Sequence, residues 1–328
     1  FENKFPFYFL SMTLLVIVAV LIRLTPVVNN VFLIKAFDPW IQYHSTEYLV
    51  ENGWYDFFNW VDYKSWNPSG IKRGNLRPGL LFSSALFYRI LNGLGISVSI
   101  YEACFYFPAF MGGLTVVVMY YLGKEVLDKR SGLISAFFLA VNPGHMQRTV
   151  AGFFDNETVG VFSVLLTILF FIRCVKSGKL SDGIFAGLSL GFLGLSWGGL
   201  AFPFLLTPLL TLILILTNKY DSKVLIAYVL TEGLGILIYS LSYIFTWPRY
   251  INDMEVFIPI VWLGVLLLYH VFYLQKGQKI YDNMIKVVKW GSLPIGLAFV
   301  IILWFKPEIL PFGLGSRFYS IINPNIRE

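Results

Sequence analysis

Charged residues are scarce in this chain, and their scarcity excludes most classes of soluble protein. Of 328 residues, 13% are Asp, Glu, Lys or Arg, whereas ordinary soluble domains carry roughly 25%. Hydrophobic residues make up 57% of the chain, and its mean hydropathy is +0.68. Aromatic residues reach 18%, an enrichment typical of the boundary between membrane and water. The composition therefore predicts a protein that crosses a membrane several times.

Cysteine and histidine are also rare, which removes several kinds of site. The two cysteines, Cys104 and Cys174, fall on opposite sides of the membrane in the topology described below, so we predict no disulfide and no zinc-type cluster. The three histidines, at 44, 145 and 270, have no metal-ligand spacing, although His44 and His145 could face one site. No phosphate-binding loop, dinucleotide fingerprint or G-x-S-x-G element is found. Hydrolytic triads and nucleotide hydrolysis therefore have no support.

Long apolar segments predict about nine transmembrane helices, because a helix needs roughly 20 apolar residues to span a bilayer. They lie at about 8–27, 103–122, 131–146, 158–173, 182–197, 199–217, 224–245, 256–274 and 287–305. A tenth candidate, 79–95, contains Arg89, and a crossing there would reverse the charge bias of the later links. We therefore predict that 79–95 is an amphipathic or re-entrant piece.

The links between these segments differ in positive charge, which sets the orientation of the chain. Two or three Lys or Arg occur in each of the links 124–130, 173–179, 218–223 and 274–286, and one in each of the intervening links 144–158 and 247–255. Basic links favour the cytoplasm, which accounts for the net charge of +6 without a nucleic-acid partner. We therefore predict an all-α polytopic membrane protein with external loops at 28–100, 147–157 and 306–328.

The predicted external face collects three carboxylates. Asp38 follows the first helix, and Asp155 and Glu157 lie in the link before the fourth. Carboxylate oxygens suit Mg²⁺ or Mn²⁺, and acids beside hydrocarbon usually mark a paired or functional site. The acids could instead solvate a loop or cap the helix that starts near Thr158. Arg148 could be an interface anchor rather than their partner.

Five stretches occur together in an order that resembles one family. They are FDPWIQYHSTEYLVENGWYDFFNWVDYKSWNPSG (37–70), LRPGL (76–80), VNPGHMQRTVAGFFDNET (141–158), SWGG (196–199) and GSRFYSIINP (315–324). The family is the catalytic subunit of oligosaccharyltransferase, in its archaeal and eukaryotic branches, and the resemblance covers most of the chain.

The resemblance implies a C-type glycosyltransferase (GT-C) fold with a long first external loop. It also implies transfer of a preassembled oligosaccharide from a polyprenyl phosphate or pyrophosphate carrier to the Asn of Asn-x-Ser/Thr sequons, with Mn²⁺ or Mg²⁺. The implied partners are this lipid-linked oligosaccharide, an acceptor polypeptide and a membrane. We expect a single-subunit enzyme of an archaeal cell membrane, with the endoplasmic reticulum membrane as the alternative.

Matching motifs also suggest roles for individual residues. Asp38 resembles the aspartate that binds the metal and contacts the acceptor amide, and Asp155 and Glu157 resemble the D-x-E pair that completes the metal side. Arg148 resembles the arginine that precedes the pair and lies close to it. Three further basic residues could meet an anionic carrier or simply lie on a solvated loop: Lys72, Arg73 and Arg77.

Two elements of the family pattern are not found in residues 1–328: a glutamate of the fifth external loop, and the Trp-Trp-Asp-Tyr-Gly signature of a soluble C-terminal domain. We therefore expect this region alone to be an inactive N-terminal membrane portion. Other readings are a different GT-C enzyme, such as a protein mannosyltransferase, and a non-catalytic membrane subunit. An ion-binding transporter would predict internal repeats, which the sequence does not display.

Overall fold

The computed structural model describes residues 5–241 and 253–275, with scattered positions between 283 and 305. Helices dominate this part of the chain. Two strands of two residues each, β1 (Val61–Asp62) and β2 (Ile71–Lys72), form an antiparallel pair. In chain order the helices are α1 (Phe5–Arg23), α2 (Thr25–Val28), α3 (Phe37–Asn59), α4 (Gly79–Gly93), α5 (Ile100–Val126), α6 (Lys129–Val141), α7 (Pro143–Gln147), α8 (Glu157–Ser177), α9 (Leu180–Gly194), α10 (Ala201–Leu216), α11 (Ser222–Ser240) and α12 (Met254–Tyr273).

The helices confirm the all-α membrane fold predicted from hydropathy. Those with the length and apolarity to span a bilayer, within the described ranges, are Ile100–Val126, Glu157–Ser177, Gly198–Leu216, Ser222–Ser240 and Glu255–Tyr273. Two shorter apolar helices, Phe7–Arg23 and Leu180–Gly194, accompany them. The described positions within the predicted helix 287–305 are helical, and the predicted loop 306–328 lies outside the described residues.

One predicted span is shorter than expected. The segment 131–146 divides into α6 and α7 at Asn142, whose side chain accepts a hydrogen bond from the His145 backbone N–H. Pro143 occupies the first position of α7, where its missing N–H costs nothing and its fixed φ suits a helix start. The chain therefore leaves the α6 axis before it reaches the acids near residue 155.

The predicted loop 28–100 contains more helix than the sequence indicates. Asp38 was expected on a loop, but it lies in the first turn of α3, which continues to Asn59 with a kink at Gly53 (φ 88°). Buried Leu49 and Phe57 of α3 pack with Leu81 of α4. The predicted piece 79–95 is indeed helical, as α4. The two helices therefore form a packed layer of the first unit.

The chain divides into two compact units. The first comprises Phe1–Pro203 and Ile226–Trp247, and the second comprises Phe204–Leu225 and Pro248–Glu328. In the first unit, α5 packs against α1, α4, α6 and α8, and α8 packs against α9. In the second unit, the Trp262 indole N–H donates to Thr211 Oγ1 at 2.6 Å. The Tyr220 hydroxyl oxygen lies 3.0 Å from His270 Nδ1.

Gly79, at the start of α4, marks a close approach between two backbones. Its N–H donates to Leu195 O at 2.8 Å, and a Cβ at this position would lie 1.9 Å from Ser196 Oγ. The segment 196–199 separates α9 from α10 through the 3₁₀ turn Gly198–Leu200. Only a glycine at position 79 allows α4 to begin against this break.

We expect Gly79→Ala to lower the stability of the protein by about 1–3 kcal/mol, the range typical of overpacking. Gly93→Ala in the same helix is the matched control, because nothing lies within 4 Å of a Cβ at that position. The control should leave stability unchanged or raise it by about 0.5–1 kcal/mol. Melting temperatures in detergent would check both, and equal melting temperatures for the two variants would contradict the close approach.

Candidate active site

Backbone hydrogen bonds bring together two segments that carry the predicted acids. The Lys35 N–H donates to Gly152 O at 2.9 Å, and the Gly152 N–H donates to Phe105 O at 2.9 Å. Gly152 adopts φ 86°, and a Cβ there would lie 2.5 Å from Leu33 O. This clamp, formed by Leu33, Lys35, Phe105 and Gly152, fixes the chain just before Asp38 to the chain just before Asp155.

The side chains of Asp38 and Asp155 lie in different environments. Asp38 is exposed in the first turn of α3, where the partial positive charge of a helix start favours an acid. Asp155 is 7% exposed, and its Oδ1 accepts a hydrogen bond from the Asn156 N–H at 2.7 Å. One carboxylate is thus open to a ligand, and the other is held by the protein.

Burial is the main reason that the pKa of Asp155 is raised to about 6, and the negative charges of Glu157 and Asp38 add to the shift. Carboxylates repel one another appreciably only when they are close. Residues 38, 155 and 157, which the sequence predicts to share one site, are therefore electrostatic neighbours. A bound cation would relieve this repulsion.

Glu157 is the first residue of α8 rather than part of a loop. Its Oε1 lies 3.4 Å from Arg148 Nη1, and its Oε2 is buried without a hydrogen-bond partner among the described residues. The Arg148 side chain is half exposed, and its guanidinium lies 5.2 Å from the centroid of the Phe153 ring. Arg148 therefore pairs with Glu157, and its role in the site remains a prediction.

The donor chemistry of the acids fits a hard divalent cation. Asp155 and Glu157 supply carboxylate oxygens, and the buried Glu157 Oε2 has capacity to spare. Nowhere in residues 5–241 and 253–275 do three or more His, Cys, Asp or Glu side chains gather closely enough to hold a metal ion unaided. The assignment of Asp38, Asp155 and Glu157 as metal ligands therefore remains a prediction.

A cavity of about 600 Å³ opens beside the acids. Asp38, Asn156 and Arg77 are among the residues that line it. The Arg77 guanidinium donates a hydrogen bond to Trp197 O and lies 6.0 Å from the centroid of the Tyr239 ring. The cavity lining thus includes both an acid and a cation, and the cavity volume falls in the range of about 300–1,000 Å³ usual for ligand pockets.

Arg73, a candidate for binding an anionic carrier, is instead paired within the protein. Its Nη2 lies 2.5 Å from Asp62 Oδ2, and both side chains are almost fully buried. Ser65 Oγ and the Lys64 N–H also donate to Asp62, and His44 Nε2 lies 3.7 Å away. The Arg73 charge is therefore neutralised by Asp62, and the pair fixes the β1–β2 hairpin beside the cavity.

The Asp62 pair predicts a loss of stability in acid. Burial alone would raise the pKa of Asp62, but its hydrogen bonds and the charge of Arg73 outweigh burial and hold the pKa below the usual 3.8. A lowered pKa stabilises the folded state above about pH 4, and this stabilisation is lost as the pH falls through the folded pKa. Asp62→Asn should therefore cost about 2 kcal/mol at pH 7, and progressively less below pH 4.

Thermal melting of the wild type and Asp62→Asn at pH 7, 5, 4 and 3 would check this convergence. Asp56→Asn, which alters an exposed acid of α3, is the control and should follow the wild type at every pH. A gap between Asp62→Asn and the wild type that stays constant down to pH 3 would contradict the predicted role of the charge.

A second buried polar cluster was not predicted from the sequence. Arg23, 1% exposed, donates to Thr149 Oγ1 at 2.7 Å, to Ala140 O at 3.1 Å and to His145 Nδ1 at 2.8 Å. Burial and the charge of Arg23 lower the pKa of His145, in the short helix α7, to about 4, so the ring is neutral and can accept the bond. The Ala151 N–H also donates to Arg23 O at 2.9 Å. The end of α1 therefore supports the segment that leads to the acids.

Comparisons with known proteins agree with the fold and the motifs. The family model described as "Oligosaccharyl transferase STT3, N-terminal" matches residues 6–305. The STT3B subunit of dolichyl-diphosphooligosaccharide–protein glycosyltransferase from Oryza sativa is 32% identical over 96% of the chain and 44% of its own length. The chain thus spans somewhat less than half of this curated relative.

Two solved structures of the archaeal oligosaccharyltransferase from Archaeoglobus fulgidus share the fold. One, in complex with an inhibitory peptide and a dolichol-phosphate, has a TM-score of 0.68 at 19% identity and covers 92% of this chain and 38% of its own. The other, a complex with Zn and sulfate, has a TM-score of 0.67 at 21% identity and covers 96% of this chain and 43% of its own. These similarities confirm the C-type glycosyltransferase fold, and with the family match they show that the chain belongs to the oligosaccharyl transferase STT3 family.

Proposed function

We propose that this chain forms the membrane part of an enzyme that transfers a preassembled oligosaccharide from a polyprenyl phosphate or pyrophosphate carrier to the Asn side chain of Asn-x-Ser/Thr sequons. One observation carries the proposal beyond family membership. Asp38 and Asp155 come from segments clamped together by the backbone of Lys35 and Gly152, and the cavity that Asp38 lines is also lined by the cationic Arg77.

The acceptor amide nitrogen is a weak nucleophile because its lone pair is delocalised into the carbonyl, so a carboxylate is needed to activate it. Asp38 is exposed at the cavity, so its carboxylate can accept hydrogen bonds from the two N–H groups of the acceptor. These bonds would orient the amide nitrogen towards the sugar and polarise it. Asp155, being buried and bonded to the Asn156 N–H, is better suited to hold a fixed position.

Manganese or magnesium would be held by Asp155 and Glu157, with Asp38 facing the same ion. When bound, such a cation supplies counter-charge for the departing phosphate. The complex of the Archaeoglobus fulgidus enzyme with Zn and sulfate supports a divalent metal in this family. Arg148, 3.4 Å from Glu157, would hold the side chain of Glu157 in place.

The carrier phosphate would lie beside Arg77, which lines the cavity. The side chain of Arg77 is oriented by Trp197 O and the Tyr239 ring, and it retains donors for an anion because a guanidinium has five N–H groups. Lys72 lies on the neighbouring strand β2. The dolichol-phosphate in a complex of the Archaeoglobus fulgidus enzyme is consistent with such a carrier.

We place the site on the external or lumenal face, because the basic links of the chain favour the cytoplasm. The loops 28–100 and 147–157 then meet the lipid-linked donor and the acceptor polypeptide outside. We further propose a single-subunit enzyme in an archaeal cell membrane, with the endoplasmic reticulum membrane as the alternative.

The proposal is tested by incubating the purified full-length protein with a lipid-linked oligosaccharide and a sequon peptide, with either Mn²⁺ or EDTA. We expect glycopeptide with Mn²⁺ and almost none with EDTA. A peptide in which Gln replaces the acceptor Asn is the control. No transfer with Mn²⁺ would overturn the proposed function, and full transfer with EDTA would overturn the proposed metal.

A further inference from the structure

A second cavity lies away from the acids, between the first two turns of α1 and the first two turns of α6. Its volume is about 590 Å³, and it is lined by Phe7, Tyr8, Arg130, Leu133 and Ile134. Its lining is therefore aromatic or aliphatic apart from one guanidinium. We call it the basic cavity, and the proposed transfer chemistry does not use it.

The basic cavity and the candidate active site lie at opposite ends of α1. Near the starts of the two helices, the Lys129 ammonium lies 5.5 Å from the centroid of the Tyr8 ring. Near their ends, Arg23 donates to Ala140 O at 3.1 Å, so α1 and α6 run in the same direction. Arg23 O accepts from the Ala151 N–H, in the segment that leads to the acids. From Tyr8 to Arg23, α1 rises about 23 Å, at about 1.5 Å per residue.

The charge around the basic cavity is positive, because two cations lie near one acid. Asp128 caps α6 by accepting hydrogen bonds from the Ser131 N–H at 2.8 Å and from its hydroxyl at 2.9 Å. Among the described residues, neither Lys129 nor Arg130 forms an ion pair with a carboxylate. Arg130 is exposed, so its guanidinium is open to an anion.

The position of the basic cavity indicates what kind of anion it meets. On the topology proposed above, the link 124–130 faces the cytoplasm, so the cavity lies at the cytoplasmic boundary of the bilayer. The lipids of that leaflet include anionic ones, and basic pockets between helices bind their headgroups. A phosphodiester can accept two parallel hydrogen bonds from one guanidinium.

The apolar lining favours a lipid over a soluble phosphate. Phe7 is 64% exposed and Ile134 is 57% exposed, so an acyl chain beside them would remove apolar surface from contact with water. A soluble phosphate would leave this surface uncovered. A zwitterionic lipid would bring its own cation close to Lys129 and Arg130, and like charges repel.

We propose that the basic cavity binds an anionic phospholipid of the cytoplasmic leaflet. Arg130 binds the headgroup phosphate, Lys129 adds positive charge, and an acyl chain lies along Phe7, Leu133 and Ile134. The inference goes beyond the proposed function, because this site takes neither the glycan donor nor the acceptor. Its lipid would hold the starts of α1 and α6 together, at the end of the helix pair remote from the acids.

The lipid is tested by native mass spectrometry of the purified full-length protein with three probes. Phosphatidylglycerol is anionic, phosphatidylcholine with the same acyl chains is zwitterionic, and glycerol 3-phosphate has no acyl chain. We expect the wild type to bind phosphatidylglycerol about tenfold more tightly than phosphatidylcholine, and glycerol 3-phosphate much more weakly. Arg130→Gln should weaken phosphatidylglycerol binding about fivefold and leave phosphatidylcholine within about twofold. Ile134→Ala should weaken both lipids alike.

Arg89→Gln is the matched control, because it removes an exposed arginine of α4 that does not line the basic cavity. It should bind all three probes as the wild type does. Equal loss of phosphatidylglycerol in Arg130→Gln and Arg89→Gln would overturn the site, as would wild-type protein that binds the two lipids equally. Glycerol 3-phosphate bound as tightly as phosphatidylglycerol would show a soluble anion instead and overturn the lipid.

The leaflet is tested by labelling Arg130→Cys with a membrane-impermeant maleimide. The natural cysteines, Cys104 and Cys174, are buried, so the new thiol is the accessible one. We expect labelling in inside-out membrane vesicles and almost none in sealed right-side-out vesicles, and the reverse would overturn the cytoplasmic placement. Neither measurement uses the transfer reaction, so a failure of the proposed function is detected separately, by the transfer assay.

Discussion

Replacing Asp38 with asparagine should reduce oligosaccharide transfer by about 100-fold or more, the order found when one group that stabilises a reacting charge is lost. Asparagine has nearly the same shape, but it carries no charge and cannot accept hydrogen bonds with both terminal atoms. Stability should not fall, because Asp38 is exposed and its charge raises the pKa of Asp155 by repulsion. Removing one repelling carboxylate leaves the melting temperature unchanged or slightly higher.

Asp56→Asn is the control for this experiment, because Asp56 is an exposed acid on the same helix that does not line the cavity. Its transfer rate and melting temperature should equal those of the wild type. Initial rates with saturating lipid-linked oligosaccharide and varied sequon peptide would locate the loss. Wild-type rates for Asp38→Asn, or a fall in melting temperature that accounts for the lost activity, would refute the assigned role.

Hydropathy was sufficient to predict the five spanning helices of the described ranges, because spanning length and apolar composition are local properties of the chain. It could not predict α3 (Phe37–Asn59), which mixes apolar and polar residues and contains Gly53 at φ 88°. The stability of α3 comes from tertiary packing, in which Leu49 and Phe57 meet Leu81 and Ala85 of α4. Packing of this kind overrides the weak preferences of single residues.

The grouping of the acids was predictable only in part. Loop charge and family motifs predicted that Asp38, Asp155 and Glu157 share one face, and their electrostatic proximity agrees. The hydrogen bond between the Lys35 N–H and Gly152 O could not be predicted, since backbone groups leave no mark on the sequence. The only trace of this contact in the sequence is the glycine at position 152, which adopts φ 86°.

Basic residues near the site illustrate a second limit. Lys and Arg on a loop are usually solvated, and nothing in the spacing of Arg73 and Asp62 distinguishes a buried pair from two surface charges. The β1–β2 hairpin creates the pairing by placing position 61 opposite position 72. Arg23 did carry a readable signal, because it lies inside the predicted span 8–27, and a charge within an apolar span is expensive and usually functional.

Arg23→Ala should destabilise the protein by roughly 3 kcal/mol, through a cavity and through acceptors left without donors. The guanidinium donates to Thr149 Oγ1, Ala140 O and His145 Nδ1, and it fills space left open by Gly112, whose added Cβ would lie 2.4 Å from Arg23 Nε. Arg23→Lys should be intermediate, since lysine keeps the charge but lacks the planar array of donors. Melting temperatures in detergent would rank the variants.

Arg89→Ala is the control, because Arg89 is an exposed arginine on α4. It should change stability by less than about 0.5 kcal/mol.

A double-mutant cycle with Arg23→Ala and His145→Ala then separates the hydrogen bond to His145 from the other contacts of Arg23. If the hydrogen bond to His145 matters, the double variant should be less destabilised than the sum of the single variants by about 0.5–3 kcal/mol. Strict additivity would place the contribution of Arg23 outside its bond to His145, in the bonds to Thr149 and Ala140 or in packing against Gly112. A stable Arg23→Ala would show that α1 does not support the segment leading to Asp155.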